Sequence, residues 1–158
     1  MTGPDPLQRT ELTFLLGMAF QLVLAEFVTE LDELGYGELR PVHGFVFQLL
    51  QGHGATSTEL AARLGVTKQA AGQLVDHLEE LGYVRRQPSP LGGRRKLITL
   101  TEKGQEHMRV AGRCLRGIEA RLADQVGGDD RLHLLRGELA RVIRAFAGDD
   151  LPPLRPSW

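Results

Sequence analysis

The chain has 158 residues, 42% of them hydrophobic, a content typical of one globular domain or of two small subdomains that share a core. Its formal charge of −1 by itself indicates no nucleic-acid partner, but residues 63–103 hold eight cationic side chains against four acidic ones. The single cysteine, Cys114, excludes an intramolecular disulfide, fits a reducing cytoplasm, and is expected to be a buried structural thiol rather than a redox sensor.

The most apolar part of the chain is residues 11–34, which are predicted to form one long helix. A signal peptide or membrane span is not expected, because no cluster of positive charge precedes the helix. Gln21 and Glu26 also interrupt an apolar run that is too short for a bilayer. A helix that is apolar on most of its circumference is buried on several sides, which in a small chain favours a partner subunit.

A second helix is predicted from Pro41, a residue that suits the first helical position, through Gln51. Its expected core face consists of Val42, Phe45, Val46, Leu49 and Leu50. His43 and His53 have no third ligand at a metal-binding spacing, so a metal site is not expected there. The alternative role for His43 is to line a ligand cavity.

Residues 56–82 predict two helices joined by a tight turn. Thr56 and Glu59 have the spacing of a capping box, Gly65 suits a left-handed stop, and Thr67 suits the cap of the next helix. In this second helix the expected buried face is Ala71, Leu74, Leu78 and Leu81, and the outward residues are Lys68, Gln69, Gly72, Gln73 and Asp76. The pattern is that of a helix-turn-helix, whose second helix contacts base edges; the alternative is a hairpin that only packs.

A basic hairpin is predicted to follow directly. Residues 83–87 and 94–101 are typical of strands, and residues 88–93 form a turn-rich tip. The hairpin holds five cationic side chains and no acidic one: Arg85, Arg86, Arg94, Arg95 and Lys96. Such a hairpin after a helix-turn-helix is placed to lie along phosphates, so the motif is predicted to be a winged one.

Two amphipathic helices complete the chain. Thr101 is predicted to cap a helix to about Val126, and Asp129 or Asp130 to cap the last helix. Apolar residues recur at spacings of three and four in both, namely Met108, Ala111, Leu115, Ile118 and Leu122, then Leu132, Leu135, Leu139, Val142 and Phe146. This stripe is expected to join two subunits, with a seam inside one chain as the alternative.

Residues 56–104 resemble the MarR (multiple antibiotic resistance regulator) family of bacterial transcription regulators. The similar segments are residues 59–61, 74–79, 81–84 and 97–101, followed by Gly104, and the flanking helices fit in length and order. The family often carries Asp-x-Arg at the wing tip, where this chain has Gly92-Gly93-Arg94. Arginines that are common in the second helix are replaced by Gln73 and His77. These departures leave the fold expectation unchanged and bear on DNA sequence preference.

The predicted fold is mainly α with a small β-hairpin wing. A single MarR-like domain is expected over residues 1–158, with a winged helix-turn-helix DNA-binding lobe at 41–101 and a helical dimerisation lobe from 11–34 and 102–147. The expected function is that of a cytoplasmic transcription regulator, a ligand-responsive repressor that binds a pseudo-palindromic operator in double-stranded DNA as a homodimer. The expected DNA-binding residues are Thr67, Lys68, Gln69, Gly72, Gln73, Arg94, Arg95 and Lys96.

The resemblance further implies a small aromatic or anionic effector, bound between the dimer helices and the DNA-binding lobe. Phe20, His43 and Phe47 are the candidate lining residues. No cofactor, membrane contact or enzyme activity is expected, since the sequence has no phosphate-binding loop, metal-binding motif or nucleophile–base pair of known spacing. Two alternatives stay open: a winged-helix interaction module without specific DNA binding, and a metal-sensing winged-helix regulator.

Overall fold

The computed structural model describes residues 5–90, 92 and 94–151. In that part of the chain there are six α-helices and two strands, in the order α1 Leu12–Leu31, α2 Pro41–Leu50, α3 Ser57–Leu64, α4 Lys68–Glu80, β1 Val84–Pro88, β2 Lys96–Leu100, α5 Glu102–Val126 and α6 Asp129–Ala147. The predicted mainly α fold with a small hairpin is confirmed. The chain divides into two compact units, one up to Glu38 and one from Leu39.

The first unit consists of a short 3₁₀ helix, Pro6–Arg9, then α1 and a π-helical turn, Asp32–Tyr36. Helix α1 exposes large apolar side chains within the single chain: Leu12, Phe14, Leu16, Met18, Phe20 and Leu22. Together α1 and the π-helical turn span 25 residues, long and apolar enough to cross a membrane by length and composition alone. The expectation that this run is too short was therefore wrong. The core helix of a soluble protein meets the same criterion.

The core of the second unit lies where α2, α3 and α4 meet the hairpin. The predicted face of α3, Leu60, Ala61 and Leu64, is buried as expected. In α4 the buried residues are Ala71, Val75 and Leu78, whereas Leu74 and Leu81 are only half-buried. The predicted face was therefore partly wrong, because spacings of three and four fit two neighbouring stripes of one helix.

Helix α2 buries more of its surface than the sequence indicates. The predicted core residues Val46, Leu49 and Leu50 are buried, and so are His43 and Phe47. Val42 and Phe45, also predicted to face the core, are half-buried. The helix thus packs on a different stripe, in which His43, Phe47 and Leu50 follow one another at spacings of four and three.

The wing is an antiparallel hairpin whose register runs from Val84↔Leu100 to Pro88↔Lys96. Ala55 adds a third, unpredicted partner: its N–H donates to the Ile98 carbonyl at 3.0 Å, and the Ile98 N–H donates back at 2.8 Å. Gly54 makes this pairing possible, since it has φ +73° and a Cβ there would lie 2.4 Å from the Ile98 carbonyl oxygen. Within the predicted tip, Leu91 and Gly93 lie outside the described residues.

Helix α5 begins and ends where the sequence predicts. The Thr101 hydroxyl caps it by accepting from the Gly104 N–H at 3.2 Å and donates to the Gly82 carbonyl at 2.6 Å. Gly104 lets the helix approach β1, because a Cβ there would lie 2.3 Å from the Tyr83 carbonyl oxygen. Its buried residues are Gly104, His107, Ala111, Cys114, Ile118 and Ala123. Leu115, predicted to lie on the apolar stripe between subunits, is exposed in the single chain.

Helix α6 packs against α5 but has no buried residue within the described part of the chain. Gly128, not Asp129 or Asp130, occupies its N-cap position, and Asp129 is the first helical residue. The predicted cap was wrong because Gly127 and Gly128 both adopt positive φ, so the turn is made by the two glycines. Large apolar side chains stay exposed along α6: Leu134, Leu135, Ile143 and Phe146.

Candidate nucleic-acid interface

Local capping interactions hold the N-terminus of α4 at the surface. Thr56 and Glu59 form the predicted capping box of α3: the Thr56 N–H donates to Glu59 Oε2 at 2.7 Å, and the Glu59 N–H donates to Thr56 Oγ1 at 3.3 Å. Gly65 ends α3 in the left-handed conformation, with φ +71°. Thr67 Oγ1 then accepts from the Ala70 N–H at 3.1 Å. The turn is therefore fixed by its own residues, and α4 begins in a defined direction.

The outward face of α4 carries several of the predicted DNA-binding residues. Lys68, Gln69 and Gln73 are exposed, and Gly72 is half-buried. Among the residues that the structure describes, no hydrogen bond or ion pair engages the side chains of Lys68, Gln69 or Gln73. Amide and ammonium groups that have no partner within the chain are available to an external one.

An ion-pair network ties β1 to the last turns of α4. Arg86 Nη2 lies 2.5 Å from Asp76 Oδ1, Arg86 Nη1 contacts Glu79 Oε2, and the Arg86 N–H donates to Glu79 Oε1 at 2.9 Å. This backbone hydrogen bond is the main cause of the lowered pKa of Glu79, followed by the Arg86 guanidinium. Two carboxylates thus balance the charge of Arg86. The sequence analysis grouped Arg86 with the outward cations of the hairpin, but the structure directs its side chain to α4.

The other cations of the hairpin, Arg85, Arg94, Arg95 and Lys96, are exposed. The pKa of Glu59 is lowered mainly by its hydrogen bonds with Thr56, and the positive charge of Arg95 lowers it further. Since β1 is joined to α4 through Arg86, the hairpin and the outward face of α4 lie in one lobe. The sequence-predicted DNA-binding residues that the structure describes therefore belong to one lobe.

Lys103, which the sequence counts among the basic residues of this region, has a local role. Its Nζ donates to the Leu81 carbonyl at 2.8 Å and lies 4.2 Å from the centre of the Tyr83 ring. A lysine at this position satisfies a carbonyl at the C-terminal end of α4 and makes a cation–π contact. Its ammonium is thus engaged within the fold.

The predicted effector-lining residues belong to two different units of the chain. His43 and Phe47 lie in the core of the second unit, and Phe20 is exposed in the first unit. The Phe47 ring packs 5.7 Å from the Tyr83 ring and 5.1 Å from the His107 ring. His43 lies 5.4 Å from the His77 ring, and its Nδ1 accepts from the Arg40 N–H at 2.9 Å.

The electrostatics of His43 follow from this position. Burial lowers its pKa to about 4, and the neighbouring charges of His77 and Arg40 act in the same direction. The ring is therefore neutral near pH 7 and serves as an acceptor at the start of α2. The described residues contain no group of three or more side chains that suits a metal ion.

The structure has a surface cavity of about 460 Å³ that the sequence did not indicate. It opens between the end of α2, β2 and the start of α5, and its lining includes Leu50, Gln51, Thr99, Gln105, Met108 and Arg109. These residues come from three segments that are distant in sequence from one another, and no local motif marks them. None of the three predicted lining residues is among them.

Comparison with known proteins matches this lobe to one family. Residues 39–95 match the model of the MarR family. A segment of 49 residues, 31% of the chain, is 45% identical to riboflavin kinase from Thermoplasma volcanium. That match spans 21% of the kinase, so it carries no statement on the activity of this chain.

Solved structures extend the likeness to most of the chain. A MarR-family transcriptional regulator from Rhodococcus sp. RHA1 is 27% identical, with TM-score 0.65, over 89% of this chain and 96% of that one. CouR from Rhodococcus jostii RHA1, solved with p-coumaroyl-CoA, is 26% identical, with TM-score 0.68, over 89% and 94%. A variant of MepR from Staphylococcus aureus, solved with an oligodeoxyribonucleotide, shares the fold at 19% identity and TM-score 0.61, over 86% and 98%. Residues 39–95 thus match the MarR family model, and most of the chain is similar in fold to a MarR-family transcriptional regulator.

Proposed function

We propose that the protein is a sequence-specific DNA-binding transcription regulator that acts in the cytoplasm as a homodimer on a pseudo-palindromic operator. The observation that carries this proposal is the outward face of α4, where Lys68, Gln69 and Gln73 have no partner among the described side chains. The exposed cations of the hairpin lie in the same lobe. A polar helix face beside a cationic hairpin suits a major groove and its flanking phosphates.

Each part of this surface has its own role. Gln69 and Gln73 lie on the outward face of α4, and a Gln amide can both donate to and accept from adenine in the major groove. Thr67, Lys68 and Gly72 lie beside them at the start of the same helix. Arg94, with Arg95 and Lys96, contacts the backbone or the adjacent minor groove, where its charge neutralises phosphates.

The homodimer brings two such lobes to successive major grooves. Within the single chain α6 has no buried residue, and α1 leaves much of its apolar surface exposed. Exposed apolar helices of this size are expected to be covered by a partner subunit. We assign dimerisation to residues 11–34 and 102–147 and DNA binding to residues 41–101.

Repression that responds to a ligand is the regulatory part of the proposal. CouR was solved with p-coumaroyl-CoA, an aromatic acyl thioester, which supports a small aromatic or anionic effector for this chain. A ligand weakens DNA binding only if it prefers the DNA-incompetent arrangement, with a typical coupling of ~1–3 kcal/mol. A panel of aromatic acids and aromatic acyl thioesters should thus include one that lowers operator affinity.

Selection of DNA by the purified protein tests the central claim. The protein is incubated with a pool of random-sequence duplexes and with fragments of its own genome, and the bound DNA is sequenced. A palindromic consensus with half-sites about one helical turn apart is the expected result. Binding without any enriched sequence, or no binding at low salt, would favour an interaction module instead.

A further inference from the structure

Gly72 lies in the middle of the outward face of α4, in a position where the fold does not require glycine. Its φ is not positive, and an added Cβ would have no atom of the described residues within 4 Å. Gly54 and Gly104 differ in this respect, because a Cβ at either one would lie under 3.0 Å from a backbone oxygen. An interior helical glycine lowers helix stability relative to alanine. Gly72 therefore weakens α4, and packing against the described residues gives no reason for a glycine there.

The neighbours of Gly72 are the proposed reading residues. At helical spacing, Lys68 and Gln69 lie one turn before it and Asp76 lies one turn after it, with Gln73 adjacent. All four are exposed. Because Gly72 has no side chain, the centre of this face is a notch bordered by longer side chains.

The notch affects base recognition because the glutamine side chain is short and reaches a base edge only from nearby. A bidentate Gln–adenine contact requires the amide to lie within hydrogen-bond distance of the base edge. Glutamine is shorter than the arginine that reads guanine, so the helix backbone has to lie nearer to the base pairs. Glycine is the residue that permits such a close approach of the backbone to a bound molecule.

We infer that Gly72 is a positioning residue, which lets α4 insert deeply enough in the major groove for the Gln69 and Gln73 amides to reach adenine edges. This inference rests on the proposed DNA-binding function. It predicts effects of opposite sign on stability and on recognition, which a purely structural role of Gly72 does not produce.

The test uses two variants at this position and one matched control. Gly72→Ala adds the smallest side chain, and Gly72→Met adds a long one that suits helices. Gly44→Ala is the control: Gly44 is also an interior helical glycine, in α2, with no atom within 4 Å of an added Cβ. Each full-length protein is titrated with the duplex that the wild type enriches from a random-sequence pool, and with an unrelated duplex.

We expect both alanine variants to melt a few degrees above the wild type. Gly72→Ala should bind the enriched duplex about tenfold more weakly and Gly72→Met more weakly still, with little change on the unrelated duplex. Gly44→Ala should bind both duplexes like the wild type. Far-UV circular dichroism of each variant checks that the total helix content is unchanged.

Wild-type affinity of Gly72→Ala for the enriched duplex would overturn the inference and leave the proposed function intact. An equal loss on both duplexes would also overturn it, since base reading would then not be the step affected. If the wild type enriches no sequence at all, the proposed function fails and the inference fails with it.

Discussion

The charge of Arg86 is balanced within the fold and does not add to that of the exposed cations of the hairpin. Its side chain is 22% exposed and contacts the carboxylates of Asp76 and Glu79 on α4. The ion pair between Arg109 and Glu106 is more exposed and joins neighbouring turns of one helix. The two arginines therefore differ in what their pairs connect: those of Arg86 join β1 to α4, whereas that of Arg109 lies within α5.

Arg86→Ala should destabilise the protein, because two carboxylates lose their partner and the link between β1 and α4 is broken. We expect the free energy of unfolding to fall by about 1–2 kcal/mol, since the carboxylates stay accessible to water. Arg109→Ala, the matched control, should change it by less than about 0.5 kcal/mol. Urea unfolding measures both, and equal values for the two variants would contradict a connecting role for Arg86.

Buried His43 should make stability depend on pH. Its pKa is 6.5 in the unfolded chain and about 4 in the folded one, so between these values only the unfolded chain takes up the proton. The free energy of unfolding should therefore be fully retained above about pH 6.5 and fall by up to roughly 3 kcal/mol as the pH drops to about 4. His107, whose pKa burial also lowers, adds to the loss in the same direction.

His43→Gln separates this contribution from the general effect of acid. Glutamine at this third helical position can still accept a hydrogen bond from the Arg40 N–H, but it does not titrate. Unfolding by urea between about pH 7 and about pH 4.5 should show a shallower loss of stability for the variant. Parallel curves for the two proteins would mean that His43 does not cause the pH dependence.

At the scale of elements, the sequence predicted best what its own neighbouring residues determine. Thr56, Thr67 and Thr101 cap their helices through contacts that reach only three residues along the chain. Each such cap can be predicted from a few consecutive residues, and the predicted starts of α3, α4 and α5 are correct.

Features that join distant parts of the chain could not be predicted from a short stretch of sequence. The pairing of Ala55 with Ile98 and the lining of the cavity depend on how the elements pack. In the site, the exposure of Lys68, Gln69 and Gln73 followed from helical spacing. The neutralisation of Arg86 did not, because a sequence lists cations without saying which acid comes within reach of each.

Helix and wing should contribute to DNA binding in different ways. Replacing Gln69 or Gln73 by Ala should cost ~1–3 kcal/mol on the enriched duplex and little on an unrelated one, because only base discrimination is lost. Arg94→Ala should weaken binding to both duplexes and lower the salt slope by about one counterion per subunit. Titrations at several salt concentrations measure these effects. The reverse pattern would mean that the wing recognises the DNA sequence and that the helix contacts the DNA backbone.

In the whole molecule, the residues of the predicted dimer stripe are of two kinds, those buried in the single chain and those exposed on it. Ile118 of α5 is 4% exposed, so it belongs to the core of the single chain, and a charge there would unfold the lobe. Leu135 and Phe146 of α6 are 47% and 91% exposed, and therefore contribute little to the stability of one chain. Only the second kind can report on assembly without disturbing the fold.

Phe146→Glu and Leu135→Glu should therefore dissociate the proposed dimer while the monomer stays folded. In the dimer the new carboxylate would be buried in an apolar seam, at a cost of several kcal/mol, whereas in the monomer it is exposed to water. Ala140→Glu is the matched control, because Ala140 is exposed and lies away from the apolar stripe on the same helix. Sedimentation measures the assembly and far-UV circular dichroism the helix content. If the Phe146 and Leu135 variants sediment as the wild type does, α6 is not part of the subunit contact, and dimerisation through this helix has to be abandoned.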